Sequence, residues 1–401
     1  MQHYLGPGRP LTALDTWDKV SAAAKGGLLE ENQWCELKEK IGPPNKAVNM
    51  ELARDLASLS VHGGVIIFGV RDKTLEVVGF DTTGLRDRIS QVAATKISPP
   101  LVPLIADDIE GPEGRKLLVV SVPPSLLAPH MVDERYYGRS ADGKRVLSDP
   151  EVRTLIFARD QRTHGFVERL EALAQNDPID EMIEGSPTGH GHAFFLAEPC
   201  SPVPSEPLER EGLVSVLANL KNGQRGGQPL LRGCTFAGND PDGVSLRTGY
   251  DKVRSEYEHR EAWISVHEDF TVTAACGGAT RMLEDRSGNS QLVALTGTMM
   301  LFGAQFLEAL REISTTQGYQ GQWQVGVHLT RLRGAAATGD IFSGRPPQFP
   351  RESSIHRLVI QPTAWEDAQA EIEEATVTLL AKYMRGLGRD GWSYNQLLQR
   401  A

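Results

Sequence analysis

Three carboxylates near the start of the chain stand where they could act together: Glu31 ahead of a short alternating run, Glu36 within it, and Asp72 just past a continuous apolar segment. Lys38 follows Glu36 by two residues, so in an extended strand the two share a face. Carboxylates gathered without a cation repel one another, and Mg²⁺ or Mn²⁺ is the usual means of neutralising such a group. An ion held this way keeps waters and open positions for phosphate oxygens, the arrangement that phosphodiester hydrolysis requires. Glu31, Glu36 and Asp72 are therefore the candidate metal ligands, and together with Lys38 the candidate catalytic set. Taken alone, an acid two residues before a lysine is ordinary, and plain surface charge explains the pair as well.

The elements that must position these residues follow from periodicity. Trp34 to Ile41 alternates, with Trp34, Glu36, Lys38 and Lys40 on one face and Cys35, Leu37, Glu39 and Ile41 on the other. Pro43-Pro44 ends that strand, and Val48 to Ser60 has a helical pattern that stops at His62-Gly63-Gly64. Val65 to Val70 is continuously apolar, as expected of a central strand covered on both faces, and Asp72 follows it. Helices are also predicted over Thr12 to Lys25, Leu85 to Ile97 and Pro150 to Ala158, a hairpin partner over Leu75 to Gly79 and a second buried strand over Lys116 to Val122. Gly63 and Gly64 read as a helix cap and tight turn, because glycine accepts positive φ without cost; close backbone approach to a phosphate is the functional alternative.

A second segment has the chemistry of a nucleic-acid surface. Arg135, Tyr137, Arg139, Lys144 and Arg145 crowd a short stretch with Tyr136 and Arg153, so arginine contacts to phosphate and stacking on tyrosine are expected of it. The plainer alternative is a solvated hairpin whose rings pack inward, since Asp133, Glu134, Asp142 and Asp149 dilute the charge.

At 401 residues the chain exceeds what one hydrophobic core usually holds. The expected organisation is residues 1–160 as a nucleic-acid-handling domain, 161–191 as a helical and Pro/Gly-rich linker, and 192–401 as an α+β domain that senses, regulates or oligomerises. The fold class is mixed α/β (α+β) throughout. A net charge of −10 argues against a protein that coats nucleic acid, but residues 1–160 hold 20 Lys+Arg against 22 Asp+Glu, so the deficit lies mainly downstream. Met1 to Pro10 is unlike a signal peptide, no run is long and apolar enough for a membrane span, and Cys35, Cys200, Cys234 and Cys276 form no CxxC pair, which together suggest a cytoplasmic protein with reduced thiols. No GxxxxGK[ST] occurs, so a P-loop is not expected. Gly189-His190-Gly191-His192 is an HxH without the third ligand that a metal site needs, and His267-Glu268-Asp269 reads as strand-end polarity.

The order Glu31-x4-Glu36-Leu37-Lys38, a helix, Gly63 through Asp72, and Gly79 resembles the AlbA-like domain of the Schlafen family, and Tyr136-Tyr137-Gly138-Arg139 with Leu147-Ser148 resembles its closing segment. The resemblance implies that residues 1–160 handle nucleic acid. Nucleolytic members cleave transfer and ribosomal RNA at a three-carboxylate site that would map onto Glu31, Glu36 and Asp72, whereas other members are described as DNA- or ATP-binding regulators. Leu59-Ser60-Val61-His62 stands where relatives carry an Ala-Asn-Thr-like stretch. The leading expectation is a metal-dependent endonuclease, RNA favoured over DNA, with the family analogy implying stress or antiphage defence. The alternatives are a catalytically inert DNA-binding transcriptional regulator and an interaction or assembly protein driven by the long C-terminal helices; a homo-oligomer formed through the C-terminal half is a further expectation, since homo-oligomers commonly close as two-folds.

Overall fold

Alternation in the first long strands decides how the N-terminal unit is layered. In the strand Gly64–Phe68, Ile66 and Phe68 join one buried cluster and Val65 and Ile67 another. The first cluster includes Leu52 and Leu56 of the helix Lys46–Leu59 and Leu85 and Ile89 of the helix Leu85–Thr95. The second includes Val20, Ala23 and Ala24 of the helix Trp17–Lys25. A strand covered on both faces has no polar side to show, and hence its unbroken apolar run.

The computed structural model describes residues 2–399 except 4, 7–11, 141–142, 186–188, 201–209, 221–229, 239, 285–289, 318, 320, 341–345 and 366. Two compact units divide the described residues: those up to Thr163, with which Cys200, Tyr319, Gly321 and Gln322 group, and the remainder from His164. Ala141 and Asp142 of the expected hairpin turn, and residues 186–188 of the expected linker, lie outside the described residues.

In the first unit the strand Cys35–Lys38 runs parallel to Gly64–Phe68 at the sheet edge, Glu36 opposite Ile66 and Lys38 opposite Phe68. Lys116–Val122 pairs antiparallel on the other side of Gly64–Phe68. Parallel neighbours need a crossover, supplied by the helix Lys46–Leu59. Cys35 and Leu37 belong to the cluster under Trp17–Lys25, so Glu36 and Lys38 face the crossover helix instead. The expected helix from Thr12 begins only at Trp17: the Thr16 hydroxyl accepts from Lys19 N at 3.3 Å as its cap, and Thr12–Ala13 pairs with Gln2–His3. Gly63 N–H donates to Leu59 O at 2.7 Å, closing the crossover helix, and a Cβ on Gly64 would lie 2.4 Å from Trp34 O and 2.6 Å from Leu59 Cδ2. The double glycine is thus filled by the protein's own backbone, as the structural reading expects.

The second unit is built on a seven-stranded antiparallel sheet in the order Phe236–Ala237, Gly243–Arg247, Ala262–His267, Val272–Cys276, Ala193–Pro199, Trp323–Leu329, Ser354–Ile360. Phe194 and Leu196 pack with Phe166 and Leu170 of the helix Phe166–Gln175. Phe195 points the other way, 5.1 Å from Phe302 and 5.3 Å from Phe306 between ring centroids, on the long buried helix Thr296–Thr316. The sequence predicts one helix over Gln291 to Ser314; its first residues instead form the strand Ser290–Ala294, paired with Thr280–Glu284 and Ala336–Ala337. Tertiary pairing overrides an apolar pattern that fits either element. The sequence also predicts a long helix over Trp365 to Met384, and the structure divides it into Ala368–Leu379 and Ala381–Gly386. Both units mix helix and sheet, as the fold-class expectation has it.

Candidate functional site

Between the edge strand and the crossover helix, six side chains of alternating charge form a continuous ladder: Arg139, Glu36, Lys38, Asp55, Lys144 and Glu51. Arg139 Nη2 donates to Glu36 Oε2 at 2.7 Å, Lys38 Nζ lies 2.9 Å from Glu36 Oε1 and 2.8 Å from Asp55 Oδ2, and Lys144 Nζ pairs with both Asp55 Oδ1 and Glu51 Oε1. The hairpin Arg135–Ser140 and Gly143–Val146 brings the outer cations in, because Arg139 and Lys144 are directly opposed in its register. Three cations meet three carboxylates, so the group is neutral as a whole. That balance lets Asp55, whose side chain is 0% exposed, stay buried.

The electrostatics follow from this order. Burial pushes the Glu36 carboxyl up, but Lys38 and Arg139 outweigh it and hold the group below the ordinary glutamate range. Burial alone would lower Lys38; Asp55 and Glu36 instead raise it well above the usual lysine value, so it stays an ammonium and is no general base near neutrality. Lys144 is raised in the same way, Asp55 and Glu51 outweighing burial. Glu31 shifts upward, first by burial, then by the charge of Glu36 and in smaller part of Asp72, against the Leu37 N–H that its Oε1 accepts at 3.2 Å.

Of the residues singled out from sequence, Glu36 and Lys38 sit at the centre of the ladder, while Glu31 and Asp72 are exposed near it, close enough for both Glu36 and Asp72 to act on Glu31. Arg139, expected to face phosphate, is 5% exposed and donates also to Asn32 O. Tyr137, expected as a stacking platform, is 7% exposed within the core, with the Arg54 guanidinium 5.7 Å above its ring. Arg145 pairs with Glu151, Lys144 belongs to the ladder, and Arg135 is exposed.

Asp55 and Glu51 are the residues that sequence reasoning missed. A signal was present: Asp55 lies on the apolar face of its helix, three residues after Leu52 and four before Leu59, and an acid there needs partners. Beside the ladder opens a groove of about 340 Å³, lined by Lys38, Lys40, Ile41, Val48, Glu51 and Asp55 among others. Lys40 and Lys46 are exposed, and Lys46 opens the crossover helix, whose N-cap Asn45 accepts from Val48 N at 2.9 Å.

A shared Mg²⁺ with ligand distances near 2.1 Å demands oxygens within about 4 Å of one another. Both Glu36 oxygens are engaged by Lys38 and Arg139. Among the described residues, the one group of three His, Cys, Asp or Glu whose ligand atoms all lie within 4.8 Å of each other is Asp177, Asp180 and His192, in the other unit.

The fold and ladder define the first unit as a small α/β domain with an internally compensated ionic centre and a basic-lipped groove. Residues 31–148 match the family model described as Schlafen, AlbA_2, a family that suggests a nucleic-acid-binding domain, and the C-terminal half has no family match. No curated protein matches the chain. Among solved structures, the DIP2311 protein from Corynebacterium diphtheriae is similar at 19% identity over 51% of this chain, with a TM-score of 0.24. The match spans 32% of that protein's chain. No helix among the described residues is long and apolar enough to cross a membrane.

Proposed function

We propose that the first unit binds single-stranded nucleic acid, RNA in preference to DNA, in the groove beside the ladder. The observation that carries the reading is the composition of that groove. Ile41, Val48 and Leu52 supply an apolar wall for a base, Lys40 supplies positive charge beside the self-compensated Lys38, Asp55 and Glu51, and the crossover helix begins at its edge, where the N-terminal end of a helix favours a phosphate. About 340 Å³ suits one unstacked nucleotide, at the lower end of ligand-sized cavities. The ladder's part is to fix the groove: Lys38 and Asp55 are held from both sides and cannot swing with an occupant.

The test is binding of labelled single- and double-stranded RNA and DNA to the full chain, against Lys40→Ala and Lys46→Ala. Each substitution should weaken binding across sequences and reduce the slope of log affinity against log salt by about 1. Salt-independent binding, or binding unchanged in the double variant, would sink the groove reading.

A second reading is cleavage of RNA dependent on Mg²⁺ or Mn²⁺ at Glu31, Glu36 and Asp72, and it draws support from placement: Glu31 and Asp72 stand exposed near Glu36, where a solvent-borne ion could reach them. Metal-dependent cutting of transfer or ribosomal RNA that disappears in both Glu31→Gln and Asp72→Asn would establish it. Binding without cutting leaves the inert module.

A further inference from the structure

The second unit contains a cluster of opposite character to the ladder. His192 is 1% exposed and stands between two carboxylates, Nδ1 2.5 Å from Asp177 Oδ2 and Nε2 2.6 Å from Glu258 Oε1. Asp180 lies one turn beyond Asp177, at the start of the short 3₁₀ segment Asp180–Met182, and its buried Oδ1 has no hydrogen-bond partner. We infer that Asp177, Asp180 and His192 bind one divalent transition-metal ion, Zn²⁺ or Mn²⁺, with Glu258 as the group that orients the histidine.

Four observations support the assignment. One atom from each of the three residues already lies within 4.8 Å of the others, so a small inward shift brings them to the spacing of about 4 Å that a shared ion requires. A metal-bound histidine characteristically donates its second ring N–H to a carboxylate, and Glu258, fully buried, occupies that position. With Nε2 given to Glu258, Nδ1 is the nitrogen left for the ion, on the side where Asp177 stands. Three carboxylates face one imidazole, and with an imidazolium and the nearby Arg331 guanidinium counted the group still carries an excess negative charge, which a dication removes. The backbone also fixes the set: Asp177 Oδ1 accepts from Ile179 N at 2.9 Å, and a Cβ on Gly277 would lie 2.1 Å from Glu258 O and 3.3 Å from Ile179 Cγ2. Only glycine lets that strand end lie against both the Glu258 backbone and the Asp177–Asp180 turn.

One nitrogen with two carboxylate oxygens suits Zn²⁺ or Mn²⁺ rather than the all-oxygen shells of Ca²⁺. Three protein ligands leave a position for water or an exogenous ligand. Binding through Nδ1 replaces the proton between His192 and Asp177, so an imidazolium releases one proton as the ion enters. The site takes His192 alone from the HxH, with Asp177 and Asp180 as the other ligands, and it stands independently of the nucleic-acid reading.

The test uses the full chain, stripped with chelator, titrated with Zn²⁺ and with Mn²⁺ by calorimetry in buffers of different ionisation enthalpy. Expected are one ion per chain, proton release on binding, about 100-fold or greater weakening in Asp180→Asn, and about 10- to 100-fold weakening in Glu258→Gln. Asp180→Asn is the decisive variant because the buried Asp180 oxygen has no hydrogen bond to lose. Should it fail to fold, Co²⁺ bound to the wild-type chain replaces it: visible bands of a low-coordinate nitrogen and oxygen site support the assignment. Absence of saturable binding, affinity unchanged in Asp180→Asn, or a fully hydrated Co²⁺ spectrum would overturn it.

Discussion

The two units bury ionisable groups in opposite ways. Around Glu36 and Asp55, each carboxylate touches at least one cation and the charges alternate to neutrality. Around His192, three carboxylates share one imidazole. A compensated ladder holds its shape with protein atoms alone, whereas the acids around His192 outnumber their cations and favour a proton or metal in their midst. Of the carboxylates that attract notice in the sequence, Glu36 belongs to the first kind, while Glu31 and Asp72 stand exposed beside it.

Breaking the ladder at its centre should show the largest effect. Asp55→Ala strands Lys38 and Lys144 around a buried gap and should cost about 3–5 kcal/mol in urea unfolding of the full chain; a loss under about 1 kcal/mol would mean that the ladder contributes little. Next comes the pH response of the metal-free protein. Burial alone would lower His192, but hydrogen bonds with Asp177 and Glu258, and their charges, raise it to about 9 from 6.5. Its contribution is complete below about pH 6.5, shrinks as pH rises, and is gone above about 9. Stability should therefore fall across that window by on the order of 3 kcal/mol, and His192→Gln should flatten the profile. Zn²⁺ at 100 times its dissociation constant should add about 2.7 kcal/mol to the wild type and nothing measurable to Asp180→Asn, read as a shift in thermal midpoint. The smallest effect belongs to the ladder's outer rung: Glu51 is 49% exposed, so Glu51→Ala should cost under about 1 kcal/mol. A larger loss there would show that the rungs act cooperatively.

Much of the first unit was legible in the sequence because its signals are local. The alternation of Cys35 to Lys38, the apolar run at Val65 to Phe68 and the double glycine each specify an element from a few neighbouring residues. What the charges do was not legible, since Arg139 reaches Glu36 across 103 positions and Lys144 reaches Asp55 across 89. The metal-type cluster was hidden for the same reason. His192 was visible, but Asp177 stood in a stretch that reads as linker and Glu258 comes from 66 residues downstream. The strand Ser290–Ala294 was mistaken for helix because its partners, Thr280–Glu284 and Ala336–Ala337, lie outside any local window.

The separation between Glu36 and Arg139 also has a temporal side. A ribosome adding roughly 5–20 residues per second leaves an interval of about 5–20 s between the two. Through that interval the edge strand carrying Glu36 can pair with Gly64–Phe68, yet its carboxylate has only Lys38 for company. Nascent or truncated chains ending before residue 139 should therefore lack the Arg139 contacts to Glu36 and to Asn32 O until the hairpin arrives.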